Sequence, residues 1–338
     1  MNNKSIKPKG SILVTGGAGF IGAHVSECLI QMNYKVTVLD DLSGGFVENV
    51  PKTAKFIKGS ILDVKLLETI FKKYKFDHVF HLAAYAAEGL SHFIKRFNYN
   101  NNVIGSVNII NECVKNNVKC LVFTSSIAVY GTNQVPMRED LIPNPEDSYG
   151  IAKFTVEKEL EASRRMFGLN HIIFRPHNVY GEKQNIGDRY RNVIGIFMNN
   201  IMKNRPLPIF GDGMQTRAFS YIRDIAPIMA KSIEIKKCYN EIFNIGADKN
   251  YSVNQLAVMV GKTMGAKFKI KYLKARKEVL HAYSDHKKIK KYFKTEPLTP
   301  IQQGIAQMAE WAKSVGIRES KKFKNIELIK NLPPSWKA

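Results

Sequence analysis

Three glycines constrain this chain more than any other feature. Gly16, Gly19 and Gly22 fall in the run TGGAGFIG, directly after a continuous apolar strand, Ser11–Thr15, and at the opening of a helical stretch, Phe20–Met32. In that context one glycine permits a tight turn, one lets backbone approach a pyrophosphate, and one lets helix and strand pack closely. The helix N-terminus then offers N–H groups and a partial positive charge to the phosphates. A second strand, Lys35–Leu39, ends at Asp40, 18 residues past Gly22. An acid near that spacing binds the adenosine ribose hydroxyls and repels a 2′-phosphate, which favours NAD over NADP. Asp41 follows directly, so the ligand is left open between two adjacent acids.

The pattern continues as alternation. Strands are predicted at Lys55–Lys58, Asp77–Leu82, Cys120–Ser125 and His171–Arg175, and helices at Val64–Tyr74, Ile104–Asn116 and Tyr149–Phe167. Strands alternating with helices imply a parallel sheet covered on both faces. The expected fold class is therefore α/β, a doubly wound parallel sheet of the Rossmann kind with a smaller C-terminal substrate-binding lobe. Past Tyr180 the pattern loosens into loops around Pro206, Pro208, Gly211 and Gly213, and Glu241–Gly246 is expected to return to the sheet. The dinucleotide domain is expected over 1–180 plus about 225–250, and the lobe over about 181–224 and 251–338.

Composition narrows the class. The 338 residues carry 51 Lys+Arg against 29 Asp+Glu, a formal net charge of +22. The lysines are spread along the chain, with short clusters at Lys287–Lys291 and Lys321–Lys324, and no zinc finger, RNP motif or basic heptad accompanies them. That reads as solvated lysine-rich faces, whose field would draw in an anionic substrate without nucleic acid. No run of 18 apolar residues is present, and the basic N-terminus enters the glycine motif without a cleavage site, so a cytoplasmic protein is expected. Cys28, Cys113, Cys120 and Cys238 lack CxxC spacing and read as buried thiols, with no metal site.

Chemistry enters at Tyr149-Gly-Ile-Ala-Lys153, which puts two functional side chains one helical turn apart. A free tyrosine is a poor base at neutral pH, and a neighbouring lysine cation with an oxidised nicotinamide favours its phenolate. The helix follows a strand that ends in Thr124-Ser125-Ser126, where a hydroxyl opens into the cofactor crevice of such sheets. Together these describe a hydride-transfer site.

With these motifs in order the chain resembles the extended short-chain dehydrogenase/reductases, and within them the nucleotide-sugar 4-epimerases of the UDP-glucose 4-epimerase type. TGGAGFIG, His81–Ala84, Ser125–Gly131, Tyr149 with Lys153, Arg175–Gly181 and Phe210–Asp224 carry the match. The resemblance implies Ser126 as the catalytic hydroxyl, Tyr149 as the base and Lys153 as the cation beside it. It sets Phe20, Ile21, Leu82, Ala83, Ala84, Asn101 and His177 along the NAD. Asn178, Asn192 and Arg217 fall on the sugar-nucleotide diphosphate side, where a guanidinium suits phosphate. The family's Gly-Asp-aliphatic adenine segment reads here Gly59-Ser60-Ile61, so Ser60 replaces the acid. The family's R-x-G-E/D reads Arg276-Lys277-Glu278, one residue short, which sets Arg276 and Glu278 near phosphate and ribose.

The pair after Ser126 selects the reaction. Related 4,6-dehydratases carry Asp-Glu there, decarboxylases a Glu and 3,5-epimerases a Cys at the second position; this chain has Ile127-Ala128. Hydrocarbon supplies no additional acid or base, and a 4-epimerase needs none. The expected activity is NAD-dependent C4 epimerisation of a UDP-sugar, glucose/galactose or their N-acetyl forms, through a 4-keto intermediate. Ala282 hints at room for an N-acetyl group. The alternatives are a 4-ketosugar reductase or another sugar-nucleotide epimerase and, in another class, a non-catalytic RNA-binding relative. The resemblance also implies a homodimer through helices at about 92–117 and 149–167. His81 and His24 read as packing, Glu88 as a candidate contact to a sugar hydroxyl, and His281, Asp285 and His286 as loop residues.

Overall fold

The computed structural model describes residues 7–337 except Asn133, Asn192, Lys277, Thr295 and 320–322. Seven strands form one sheet: β1 Ser11–Thr15, β2 Lys35–Asp40, β3 Lys55–Lys58, β4 His78–His81, β5 Cys120–Thr124, β6 His171–Pro176 and β7 Ile242–Ile245. Their order is β7-β6-β5-β4-β1-β2-β3 and every pairing is parallel. The chain runs outward from β1 to β3 and then crosses to β4 on the other flank of β1. That reversal opens a crevice at the strands' C-terminal ends, where ligands of such sheets bind.

Alternation within the strands builds two apolar layers. Ile12 and Val14 of β1 face one layer with Val36, Val38, Phe80 and Val122, while Leu13 faces the other with Leu39, Val79, Leu121 and Phe123. The second layer is covered by Leu67 and Phe71 of α2 (Val64–Tyr74), Ile109 and Cys113 of α5 (Gly105–Lys115) and Val156 and Leu160 of α6 (Ser148–Phe167). Helix α1 (Phe20–Gln31) covers the first layer, and two short helices, α3 (Glu88–Ser91) and α4 (Lys95–Tyr99), precede α5. A π turn at Asn100–Ile104 joins α4 to α5, so the helix expected from Ile104 begins earlier and is continuous through the turn.

Beyond β6, helices α7 (Val193–Met202), α8 (Ile222–Lys231), α9 (Val253–Met264), α10 (Lys287–Tyr292) and α11 (Ile301–Val315) follow, and α12 (Pro334–Lys337) ends the chain. Met198, Leu256 and Met308 join the first apolar layer, so this part shares a core with the sheet. Small strand pairs, Leu207–Phe210 with Ile270–Leu273 and Thr216–Ala218 with Asn250–Ser252 and His281–Ala282, build the wall opposite the sheet's C-terminal edge. Among the described residues no helix is long and apolar enough to cross a membrane.

Candidate active site

A cavity of about 1830 Å³ runs from the glycine motif to these small strands. Single-ligand pockets measure roughly 300–1,000 Å³, so this one has room for a dinucleotide and a second ligand. Gly16, Gly19, Phe20, Ile21 and Gly22 line one end. Gly16 has φ +71°, and a Cβ on it would lie 2.7 Å from Ala83 backbone. A Cβ on Gly22 would overlap the Gly16 carbonyl oxygen. No side chain caps the N-terminus of α1 and no acid stands in its first turn. Its first N–H groups are therefore free to meet an anion.

Asp40 braces this loop. Its carboxylate accepts N–H bonds from Ala18 (3.0 Å) and Leu42 (2.8 Å). Burial raises its pKa while those backbone donors oppose the rise. Asp41 is exposed, also lines the cavity and accepts from Ser43 N–H (2.8 Å). Each oxygen keeps a lone pair for a ribose hydroxyl. Leu82, Ala83, Ala84, Asn101, Gly59 and Ile61 complete this end. Thr124 Oγ1, buried at the cavity edge, has no hydrogen-bond partner among the described residues. A bare glycine cradle, an uncapped helix start and paired acids at the second strand's end fit NAD.

Two expected cofactor contacts are not brought here. Ser60 is not in the lining; its hydroxyl accepts the Leu62 N–H (3.2 Å), closing a local turn. His177 is buried behind the wall, with Nδ1 3.1 Å from the Ala218 carbonyl and Nε2 3.1 Å from His286 Nε2. Burial and the neighbouring His286 depress its pKa to about 3, so it is a neutral packing residue. Pro176, Asn178 and Val179 face the cavity instead. His286 in turn contacts Asp248 (2.7 Å) and Ser284 (3.1 Å), a polar ladder rather than a ligand set.

The three residues expected to carry the chemistry converge at the middle of the cavity, where Ser126, Tyr149 and Lys153 all line it. Asp147 caps α6 by accepting the N–H groups of Tyr149 and Gly150 (both 2.9 Å), which fixes where the tyrosine starts. Lys153 donates to the Thr124 carbonyl (2.7 Å), and its ammonium lies 5.8 Å from the Tyr149 ring centroid. Burial lowers the Lys153 pKa to about 7, against the pull of Glu157. Burial raises the Tyr149 phenol above its ordinary value, and Ser126 acts in the opposite direction by hydrogen bonding. In the protein alone desolvation therefore outweighs the lowering expected for this phenol.

Beneath the trio lies a network the sequence did not reveal. Glu157, one turn beyond Lys153, holds Arg175 through two bonds (3.0 and 2.5 Å) and accepts from Ser125 Oγ (2.5 Å). Arg175 also donates to Tyr130 Oη (2.8 Å), which donates to Asn244 (2.9 Å). Glu157 and Arg175 are 1% and 2% exposed, and their network ties α6 to β5, β6 and β7 directly under the site. His81 is likewise structural, 2.8 Å from Thr15 Oγ1 and from Ser106 Oγ. His24 contacts the Glu182 carbonyl (3.0 Å).

The far end is lined by Asn178, Arg217, Arg276 and Glu278. Glu278 lies between the two arginines, 3.6 Å from Arg217 and 3.2 Å from Arg276. Arg217 is anchored by the carbonyls of Val279 (2.6 Å) and Leu280 (2.9 Å). Asn178 donates to the Ala218 carbonyl (3.2 Å). Asn192 lies outside the described residues. Between arginines and trio sits Glu88, facing the cavity, whose pKa is raised by burial and by the Asp147 charge. Ala282 is not part of the lining; it packs with Ile127, Tyr130 and Met137. Among the described residues no group of His, Cys, Asp and Glu is placed to hold a metal ion.

Comparison with known proteins agrees with this geometry. A UDP-glucuronate 4-epimerase of Thermodesulfobacterium geofontis is 32% identical over 336 residues, 96% of this chain and 99% of its own. The structure of Thermotoga maritima UDP-glucose 4-epimerase with UDP-glucose superposes with a TM-score of 0.86 at 35% identity, covering 90% of this chain and 99% of that one. That of UDP-N-acetylglucosamine 4-epimerase from Methanobrevibacter ruminantium, in complex with UDP-N-acetylmuramic acid, gives 0.84 at 30%, covering 91% and 99%. The family profile described as "NAD dependent epimerase/dehydratase family" matches residues 12–246, from β1 through the glycine cradle and the Ser126–Tyr149–Lys153 trio to the end of β7. This chain is a member of that family, an NAD-dependent enzyme of the nucleotide-sugar epimerase/dehydratase class.

Proposed function

We propose that the protein interconverts a UDP-sugar and its C4 epimer through a transient 4-ketone. One observation carries this reading: the trio meets the cavity while the next two positions, Ile127 and Ala128, offer only hydrocarbon. Ala128 donates its N–H to Ser126 Oγ (3.1 Å), so this turn orients the serine and adds no proton carrier of its own. Elimination or decarboxylation calls for such a carrier; moving one hydride off C4 and back does not.

Bound NAD supplies the reversible acceptor for the C4 hydride. The chain supplies the proton chemistry. Tyr149 takes the C4 hydroxyl proton, and Ser126 holds the same oxygen by hydrogen bonding. Lys153, anchored on the Thr124 carbonyl, supplies the positive charge that favours the phenolate. Arg217 and Arg276 hold the diphosphate while the ketone turns over, and Tyr149 returns the proton once C4 has been reduced from its other face. Glu88 stands where a sugar hydroxyl would meet it. Glucose/galactose and their N-acetyl forms are the substrates we favour; burial pushes the Glu88 and Asp147 carboxyls toward their neutral forms, in which they can donate to a sugar hydroxyl.

The same reading includes a cytoplasmic homodimer through α4–α5 and α6. Ile104 on the first and Ile151 on the second are 49% and 40% exposed, apolar positions that a second copy would cover. A monomeric mass in solution would remove the dimer. The activity is tested by incubating purified protein, without added cofactor, with UDP-glucose, UDP-N-acetylglucosamine and UDP-glucuronate separately and identifying products by NMR. A C4 epimer of unchanged mass is expected from the neutral sugars. Loss of water or carbon dioxide, or no turnover, would overturn the reading.

A further inference from the structure

The chain's last residues return to the cavity. Glu327 caps the start of α4, its carboxylate accepting the N–H groups of Arg96 and Phe97 (both 3.0 Å). The N–H groups of Glu327 and Leu328 donate to the Phe93 carbonyl (2.8 and 3.2 Å), and that of Phe323 to Tyr190 Oη (3.2 Å). The Phe323 ring packs 4.9 Å from Phe97 and 5.5 Å from Tyr85, centroid to centroid. A strap from Phe323 to Lys337 is thus pinned along the helices that follow β4, and its Leu332 and Trp336 both line the cavity.

Trp336 is the strap's anchor. It is 6% exposed, with ring neighbours Tyr190 (5.3 Å), Phe93 (6.2 Å) and Phe210 (6.4 Å). A Cβ on Gly89 would stand 3.3 Å from the indole, so this glycine makes room for it. The Arg276 guanidinium lies 4.0 Å above the Phe210 ring and 5.6 Å from the Trp336 ring. Its Nε is buried and has no hydrogen-bond partner among the described residues. Its Nη2 donates to Glu278, the carboxylate shared with Arg217. Two aromatic faces and one carboxylate therefore define where this cation points.

We propose that Trp336 is a positioning residue for nucleoside diphosphate binding: with Phe210 it holds Arg276 in place, and the strap closes the nucleotide end of the cavity. This rests on the reading that the cavity takes a nucleotide sugar. A planar guanidinium lying over the Phe210 ring, with Trp336 at its side, still presents N–H groups to phosphate oxygens, and holding it before binding removes part of the ordering cost. The ring neighbours Phe93, Tyr190 and Phe210 and the Arg276 guanidinium all lie outside the Ser126, Tyr149 and Lys153 trio, so the effect of Trp336 falls on binding rather than on the proton step.

The test is calorimetric titration of full-length protein with UDP, alongside turnover of UDP-sugars. Trp336→Ala should bind UDP about tenfold more weakly, the scale of a desolvated cation–π contact, and raise KM while leaving kcat within about twofold. Trp336→Phe should restore most of the affinity. Equal or tighter UDP binding by a folded Trp336→Ala would overturn the proposal, tighter binding meaning that the strap obstructs the site. Arg276→Lys keeps the charge and loses the planar stack; it should weaken UDP to a similar degree and add little to Trp336→Ala. Independent, additive losses would also overturn it, as would wild-type protein that binds no UDP. Trp336-dependent UDP binding without turnover of any UDP-sugar would sink the epimerase reading and leave this one standing.

Discussion

Replacing Glu157 by glutamine tests whether the buried pair under the catalytic helix is what joins fold to chemistry. The substitution keeps the side chain's shape and removes its charge, which leaves the Arg175 guanidinium, 2% exposed, without a counter-ion. Removing one partner of a buried pair costs about 3–5 kcal/mol, because the remaining charge is desolvated and unmatched. Unfolding entropy near 2.1 cal/mol/K per residue, over a chain of 338, gives about 0.7 kcal/mol/K, so the melting temperature should fall by about 4–7 °C. Replacing both charges, Glu157→Leu with Arg175→Met, should recover part of that loss. Recovery stays partial because Ser125 Oγ loses its acceptor, whereas Tyr130 still donates to Asn244. The pair's second effect is on Lys153, whose pKa of about 7 Glu157 helps to hold up. In Glu157→Gln the lysine loses its proton at lower pH, so activity falls off earlier on the alkaline side and the loss is larger at pH 8 than at pH 6. Thermal melts of Glu157→Gln, Glu157→Leu, Arg175→Met and the double mutant, with a pH–rate profile of Glu157→Gln, decide the matter. A melting temperature within about a degree of wild type, or a double mutant as unstable as the summed singles, would refute the reasoning from an unpaired buried charge.

Three further outcomes follow from the geometry. Tyr149→Phe should lower kcat by about 10²–10⁴-fold and melt only about 1–2 °C lower than wild type, since a single hydrogen bond to Ser126 is lost; retained turnover would remove Tyr149 as the proton carrier. Gly22→Ala puts a Cβ into the Gly16 carbonyl, so the protein should purify without NAD, read by absorbance after denaturation. Four buried histidines make the fold acid-sensitive: His78 and His171 are pushed down to about 4, and His81 and His177 to about 3, each by desolvation first. Between those values and the ordinary 6.5 the unfolded chain binds protons that the folded one excludes, so stability is complete above about pH 6.5 and is lost as pH falls toward 4. Melting temperatures that stay level from pH 7 to pH 5 would contradict this.

What the sequence makes legible is what neighbours along the chain determine. The glycine cradle, the acid at the end of β2 and the tyrosine–lysine turn each need residues at fixed local spacing, and each stands where that spacing implies. Strand ends shift by a residue, with β4 at His78–His81 and β7 at Ile242–Ile245, because the ladder stops where its partner does. Ser60 looks like a ligand by position, yet its hydroxyl closes a turn onto Leu62, a local bond that any serine before a helix can make. His177 looks like a cofactor contact for the same positional reason. Its fate is decided by His286, 109 residues away, which nothing in the local pattern announces. Glu157, Arg175 and Trp336 are hidden on the same ground. A buried ion pair between a helix and a strand, or an indole among rings from three other segments, exists only once the sheet has been assembled.

The chain's charge shows the same division between composition and place. A formal charge of +22 suggests a basic binding surface, but among the described residues the cavity lining holds nine basic and seven acidic side chains, close to balance. The excess therefore lies on the outside, where it sets a long-range field that attracts a nucleotide diphosphate and is screened by salt within about 10 Å. Inside, the signs are sorted by task. Arg217 and Arg276 gather around Glu278 at one end, Asp40 and Asp41 stand at the other, and Lys153 occupies the middle with Glu88 and Asp147 between it and the arginines. Such a site discriminates by where each charge sits along the cavity. That is why the trio and its hydrocarbon neighbours Ile127 and Ala128, rather than the net charge, carry the argument for a reaction at C4.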